Sequence, residues 1–147
     1  MADIARNKQA GFKYNFLEKW EAGLQLQGSE VKSLRNGGVQ LKDAFATVRD
    51  GEVWLHNMHI APYAPASREN HEPERERKLL LHRGEIERLI GRTAEKGLTL
   101  IPTRLYWKNG RAKVEIALAR GKNVQDKRRY LKDKDARREI QQALHER

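Results

Sequence analysis

The 147-residue chain carries 30 Lys+Arg against 20 Asp+Glu, a net charge of +10, and 34% of its residues are charged, against about 25% in an ordinary globular chain. It has no cysteine, which excludes a disulfide framework, thiolate zinc sites and a cysteine nucleophile. No stretch reaches the roughly 18 apolar residues of a membrane span and residues 1–6 lack a secretory apolar region, so the expectation is a cytoplasmic protein whose positive field suits a polyanion.

The first predicted element is a strand over residues 13–27, where Tyr14 and Phe16, and later Leu24 and Leu26, alternate with other residues. Ser29 can cap a helix over residues 30–36, which ends at Gly37-Gly38. Asp50-Gly51 lies between strand-like residues 44–49 and 52–56 and suits a two-residue type I′ turn, which needs φ > 0 twice. Val48 then faces Val53, and Ala46 faces Leu55. Residues 61–77, with Pro62, Pro65 and Pro73, read as an exposed loop, and residues 75–81 as a further strand. Ile86, Leu89, Ile90 and Thr93 follow helical spacing from about Arg83 until Lys96 and Gly97 close the helix. Asn109-Gly110 makes a second hairpin between residues 103–108 and 111–119. The fold class is mainly β. A small antiparallel barrel of the OB type, flanked by two or three helices, suits the pattern, and other small barrels suit it as well.

The second hairpin fixes a register. Lys108 pairs with Arg111, Trp107 with Ala112, Tyr106 with Lys113, Leu105 with Val114 and Arg104 with Glu115. Leu105, Trp107, Val114, Ile116 and Leu118 then point inward, because side chains alternate between faces. Arg104, Tyr106, Lys108, Arg111 and Lys113 share the outer face. One aromatic among four cations is what phosphate contact with base or sugar packing requires. A merely solvated face would carry the same residues.

Charge divides the chain at Ala119. Residues 1–119 hold 20 basic and 15 acidic side chains, and residues 120–147 hold 10 and 5, so half the excess lies in the last 28 positions. Val124, Tyr130, Leu131, Ile140 and Leu144 are too few apolar groups to offset the entropy of ordering that segment alone. Its Lys, Arg, Glu, Gln and Ala nevertheless favour a helix. Residues 1–119 are therefore read as the body, and residues 120–147 as a basic tail, disordered when free and helical once a partner covers it.

Catalytic patterns are weak. His56, His59, His71, His82 and His145 are scattered, and His56 and His59 face opposite sides of a strand, a poor arrangement for a metal. Gly121-Lys122-Asn123 lacks the upstream glycine and the Ser/Thr of a phosphate loop. Neither Asp126 nor Glu21 has a carboxylate partner for acid–base work. No enzyme and no cofactor is expected.

Several strings nonetheless belong together. Asn7-Lys8-Gln9-Ala10, Glu21-Ala22-Gly23-Leu24, Gly28-Ser29-Glu30-Val31-Lys32-Ser33-Leu34-Arg35, Gly51-Glu52-Val53, Pro73 with Arg75 and Arg77-Lys78-Leu79-Leu80-Leu81, Leu105-Tyr106-Trp107, and Asp126-Lys127-Arg128 resemble the SmpB family of SsrA (tmRNA)-binding proteins. The resemblance runs from about residue 7 to residue 129. It implies an OB-type barrel with a basic tail and a role in rescuing stalled bacterial ribosomes by trans-translation. The protein would bind the tRNA-like domain of tmRNA and stand in for the missing anticodon arm. Elongation factor Tu with GTP would help deliver the complex. The tail would fold in the decoding centre and the vacant mRNA channel, and the tagged product would go to proteolysis.

The resemblance ties Glu21, Leu80 and Lys113 to tmRNA binding. Glu21 could equally be an ordinary strand-surface carboxylate, and Leu80 an ordinary core residue. Gly121, Lys122, Asp126, Lys127 and Arg128 match a G-K-K-x-x-D-K-R stretch tied to ribosome engagement, although Asp126 could simply cap the helix that follows. Ile140 is assigned to the same ribosome-binding tail. Three positions depart from the family pattern. Asn123 replaces a lysine, Gln125 an aromatic or histidine, and Phe12 a histidine. General single-stranded RNA binding and a permanent place in a ribosomal subunit remain the rival functions.

Overall fold

Backbone geometry at two turns sets most of the register. In a computed structural model that describes residues 3–65, 70–94 and 97–121, Asp50 and Gly51 have φ of 53° and 74°, and Asn109 and Gly110 have 52° and 75°. Both dipeptides thus take the left-handed conformation that a type I′ turn demands twice. The first joins β4 (Phe45–Arg49) to β5 (Glu52–His56) with Val48 opposite Val53 and Ala46 opposite Leu55. The second joins β8 (Leu98–Lys108) to β9 (Arg111–Gly121) with Leu105 opposite Val114 and Trp107 opposite Ala112. Leu105, Val114, Ile116 and Leu118 are fully buried, as the alternation requires.

Strand β2 (Tyr14–Leu24) pairs with β9 from Tyr14–Gly121 to Gly23–Lys113, and carries Trp20, Ala22 and Leu24 into the core. A bulge between Phe16 and Glu18 leaves Leu17 as the extra residue, and it is turned out to solvent. Strand β7 (Arg77–Leu80) lies between β5 and β2. The pairings therefore run β8, β4, β5, β7, β2, β9 and back to β8, with β1 (Asp3–Arg6) added beside β8. Two short strands, β3 (Val39–Gln40) and β6 (His59–Ile60), pair separately. Three helices, α1 (Ala10–Lys13), α2 (Gly28–Arg35) and α3 (Arg83–Thr93), complete the described elements, so the protein is mainly β with few helices.

Four expectations need correcting. Ser29 does not cap α2. Gln27 is the cap residue, its N–H donating to Glu30 Oε1 at 2.8 Å, while the buried Ser29 hydroxyl is hydrogen-bonded to His71 Nδ1 at 2.9 Å. Strand β8 starts five residues before residue 103 and contains Pro102, which pairs with Ile116 next to an irregularity between Pro102 and Arg104. Strand β9 runs through Arg120 and Gly121, paired with Asn15 and Tyr14, two residues beyond the end expected for that strand. Lastly, the segment over residues 61–77 is not exposed throughout, because His71 and Arg77 are buried. His71 bridges Ser29 and the Ile60 carbonyl, its Nε2 lying 2.9 Å from that oxygen.

Arg77 explains how that segment is anchored. Its Nε donates to Glu30 Oε2 at 2.5 Å, Nη1 to the Met58 carbonyl and Nη2 to the Pro73 carbonyl at 2.9 Å. Arg75 donates to the other oxygen of Glu30, through Nε at 3.1 Å and also through Nη2. Both Glu30 and Arg77 are fully buried. Burial pushes the Glu30 carboxyl up, but hydrogen bonds from Arg75, the Gln27 N–H and Arg77 outweigh it, and the net shift is downward. One carboxylate thereby ties the first turn of α2 to β7 and to the loop before it.

Candidate nucleic-acid interface

Strand alternation and one glycine assemble the outer face of the sheet. Gly23 pairs with Leu80 on one side and Lys113 on the other, and Lys113 pairs in turn with Tyr106, so a single row crosses four strands. A Cβ on Gly23 would stand 3.2 Å from the Leu80 Cβ, so the missing side chain is what lets Leu80 lie close across β2. Leu80 is 50% exposed, which settles its place on the surface and not in the core. Glu21, two residues from Gly23, points to the same side. Glu21, Leu80 and Lys113 then line one cleft of ≈ 270 Å³ with Gly23, Leu81, His82 and Glu85. Positions 21, 80 and 113, far apart in sequence, are brought together.

Electrostatics divide the expected basic face. Tyr106 is 2% exposed, so its ring offers no free face to a base, and the stacking role expected for it is withdrawn. Its hydroxyl donates to Glu21 Oε2, and the Arg104 guanidinium lies over its ring at 4.5 Å. Burial first, then the bond to Glu21, raises the phenol above its usual value. The Tyr106 hydroxyl in turn holds Glu21 below its ordinary range, with help from Lys108 and Lys113. Glu21 is thus already engaged as an acceptor. Lys108 Nζ sits 3.2 Å from Glu21 Oε1, and Arg104 pairs with Asp3 at 3.2 Å and Glu115 at 3.4 Å. These two cations lie at a sheet surface where carboxylates offset them. Arg111 and Lys113 have no ion pair among the described residues, and they remain the cations best able to meet a phosphate.

Other expected residues fall elsewhere. Gly121 ends β9 as a paired strand residue, and Phe12 is half-buried in α1. Lys122, Asp126, Lys127, Arg128 and Ile140, with Asn123 and Gln125, lie outside the described residues, as does the tail helix. His56 stacks on Phe45 at 4.9 Å and is hydrogen-bonded to Thr47, and among the described residues no three potential metal ligands converge. Sequence reasoning missed Asp3 and Gly23. Nothing in a linear pattern signals Asp3 on Arg104, but the Gly between Ala22 and Leu24 inside an apolar strand is the usual mark of a close approach.

Comparison with known proteins identifies the family. The family model described as SmpB protein matches residues 4–146. An SsrA-binding protein of Geobacillus thermodenitrificans is 59% identical, covering 98% of this chain and 93% of the relative. That of Carboxydothermus hydrogenoformans is 55% identical, covering 98% and 97%. A solved chain described as "tmRNA-SmpB: a journey to the center of the bacterial ribosome" superposes with a TM-score of 0.70 at 46% identity, covering 88% of this chain and 95% of that one. The chain belongs to the SmpB protein family.

Proposed function

We propose that this protein binds the tRNA-like domain of tmRNA with the outer face of β2, β7 and β9, stands in for the missing anticodon arm, and brings tmRNA to stalled ribosomes for trans-translation. The observation that carries the reading is the convergence of Glu21, Leu80 and Lys113 on one cleft. The names of the relatives and the tmRNA-SmpB neighbour support the same partners. Lys113 supplies the charge for phosphate and Leu80 an apolar cap for sugar or base. Glu21 holds Tyr106 and Lys108 so that the surface stays rigid. The unbroken cycle of six paired strands supports an OB-type barrel as the scaffold.

The tail, with Lys122, Asp126, Lys127, Arg128 and Ile140, engages the decoding centre and the mRNA channel, where phosphates neutralise its cations and allow a helix. Message RNA in the channel removes those contacts. Elongation factor Tu with GTP assists delivery. The protein acts in the cytoplasm by binding and not by catalysis.

The test is a gel-shift competition between the tRNA-like fragment and unstructured RNA of equal length. Preference for the folded fragment is expected, and equal competition would overturn the reading in favour of a general single-stranded RNA module. A chain ending at Gly121 is expected to keep fragment binding and lose tagging. Loss of both to the same degree would remove the division between body and tail.

A further inference from the structure

At the tip of the β8–β9 hairpin the core runs out before the strands do. Leu105 and Val114 are fully buried, but the next inward pair towards the turn is Trp107 with Ala112, and Trp107 is only half-buried. Facing it across an opening are Leu24 at the end of β2, Leu26 in the linker, Val31 on α2 and Leu80 on β7. Together they leave a solvent-open pocket of ≈ 360 Å³, near the lower end of the ~300–1,000 Å³ of small-ligand sites. Arg111 and Lys113 stand on its rim.

The lining chemistry is uneven in an informative way. The walls are aliphatic and indole surface, while the rim holds the two outer-face cations that form no ion pair among the described residues. Several other exposed cations are offset, Arg49 by Glu76 at 3.0 Å and Lys78 by Glu52 at 2.9 Å. The cavity between α1 and β4, of ≈ 220 Å³, has Lys13 and Asp43 in its own wall, paired at 3.7 Å. An apolar slot with unoccupied cations on one lip suits a flat, weakly polar group attached to a phosphodiester chain.

We infer that this pocket receives one unpaired nucleobase turned out of the tRNA-like RNA, with Trp107, Leu26 and Val31 packing the base and Arg111 and Lys113 holding its flanking phosphates. The inference rests on the tmRNA-binding reading and extends it beyond the Glu21, Leu80 and Lys113 cleft. It supplies a reason for selectivity. A base stacked inside a regular helix cannot enter, whereas a loop that presents one splayed base between accessible phosphates can.

The test uses the full chain and tRNA-like fragments in which single unpaired loop positions carry 2-aminopurine, whose fluorescence reports loss of base stacking. One loop position is expected to change emission on binding. Leu26→Trp, which fills the pocket, is expected to abolish that change and weaken binding by roughly tenfold. Val31→Phe, from another wall, should do the same, and thermal unfolding shows that each variant is folded. Tight binding with no responsive position, or full response and affinity in a folded filled variant, overturns the pocket alone. Failure of the unaltered protein to bind the fragment overturns the functional reading and the pocket with it.

Discussion

Glu30 and Glu21 are both carboxylates drawn below their ordinary range, yet they sit in opposite environments. Glu30 is sealed in the core, where burial would raise it and two guanidiniums and a backbone N–H bring it down. Glu21 lies on the sheet surface, where one tyrosine hydroxyl and two lysines suffice. The buried network has a single arrangement, because any missing partner strands a charge away from water. The surface network can lose or exchange a partner, because water stands ready to replace it. On the proposed reading, one network fixes the frame and the other orients cations that an RNA can still reach.

The largest effect should come from breaking the frame. Arg77→Ala leaves Glu30 buried without its second partner, and a loss of about 3–5 kcal/mol is expected by urea unfolding. That is a large share of the ~5–15 kcal/mol available to a single domain. A loss under about 1 kcal/mol would show that water enters the site and that the two networks do not differ. Acid sharpens the same point. The folded value of Glu30 is below the unfolded 4.5, so its contribution is full above that pH and fades as pH falls through the folded value. In Glu30→Gln that part of the acid limb of stability should flatten.

The surface network should respond less and at the opposite end of the pH scale. Tyr106→Phe removes the hydrogen bond to Glu21 and should cost about 1–2 kcal/mol. The folded phenol titrates above the unfolded 10.0, so its contribution is complete below that pH and is lost as pH rises through the folded value. The unaltered protein should therefore lose stability in strong alkali more steeply than Tyr106→Phe. Equal alkaline limbs would mean that the hydroxyl is not held by Glu21 in solution.

These contrasts also mark where the sequence was readable. Asp50-Gly51 and Asn109-Gly110 fixed two hairpins and their registers, because φ > 0 at consecutive positions leaves few residue choices and pairing then follows by counting. The parity of Leu80 was not readable. Three consecutive leucines give no alternation, and only the pairing of Gly23 with residue 80 decides which of them faces out. Tyr106 was assigned to the correct face and the wrong environment. Alternation gives the side of a strand, while its cover comes from Glu21 on β2 and from Arg104 two residues earlier on the same strand. The Glu30 network was out of reach for the same reason, since its guanidiniums lie 45 and 47 residues away.

The smallest effects on the fold, and the most direct on function, concern single cations. Lys113→Ala should change stability by no more than about 0.5 kcal/mol, since no ion pair among the described residues is lost. Its effect should appear in binding to the tRNA-like fragment, as a drop of about 0.7–0.9 in the slope of log affinity against log salt, one phosphate's worth. Lys108→Ala should lower that slope by less, because Glu21 already offsets this lysine at 3.2 Å in the free protein and fewer counterions await release. If Lys108→Ala matched Lys113→Ala, RNA would have to pull Lys108 away from Glu21 on binding. The surface network would then be a reserve of phosphate contacts, and the rigid frame would end at the buried carboxylate.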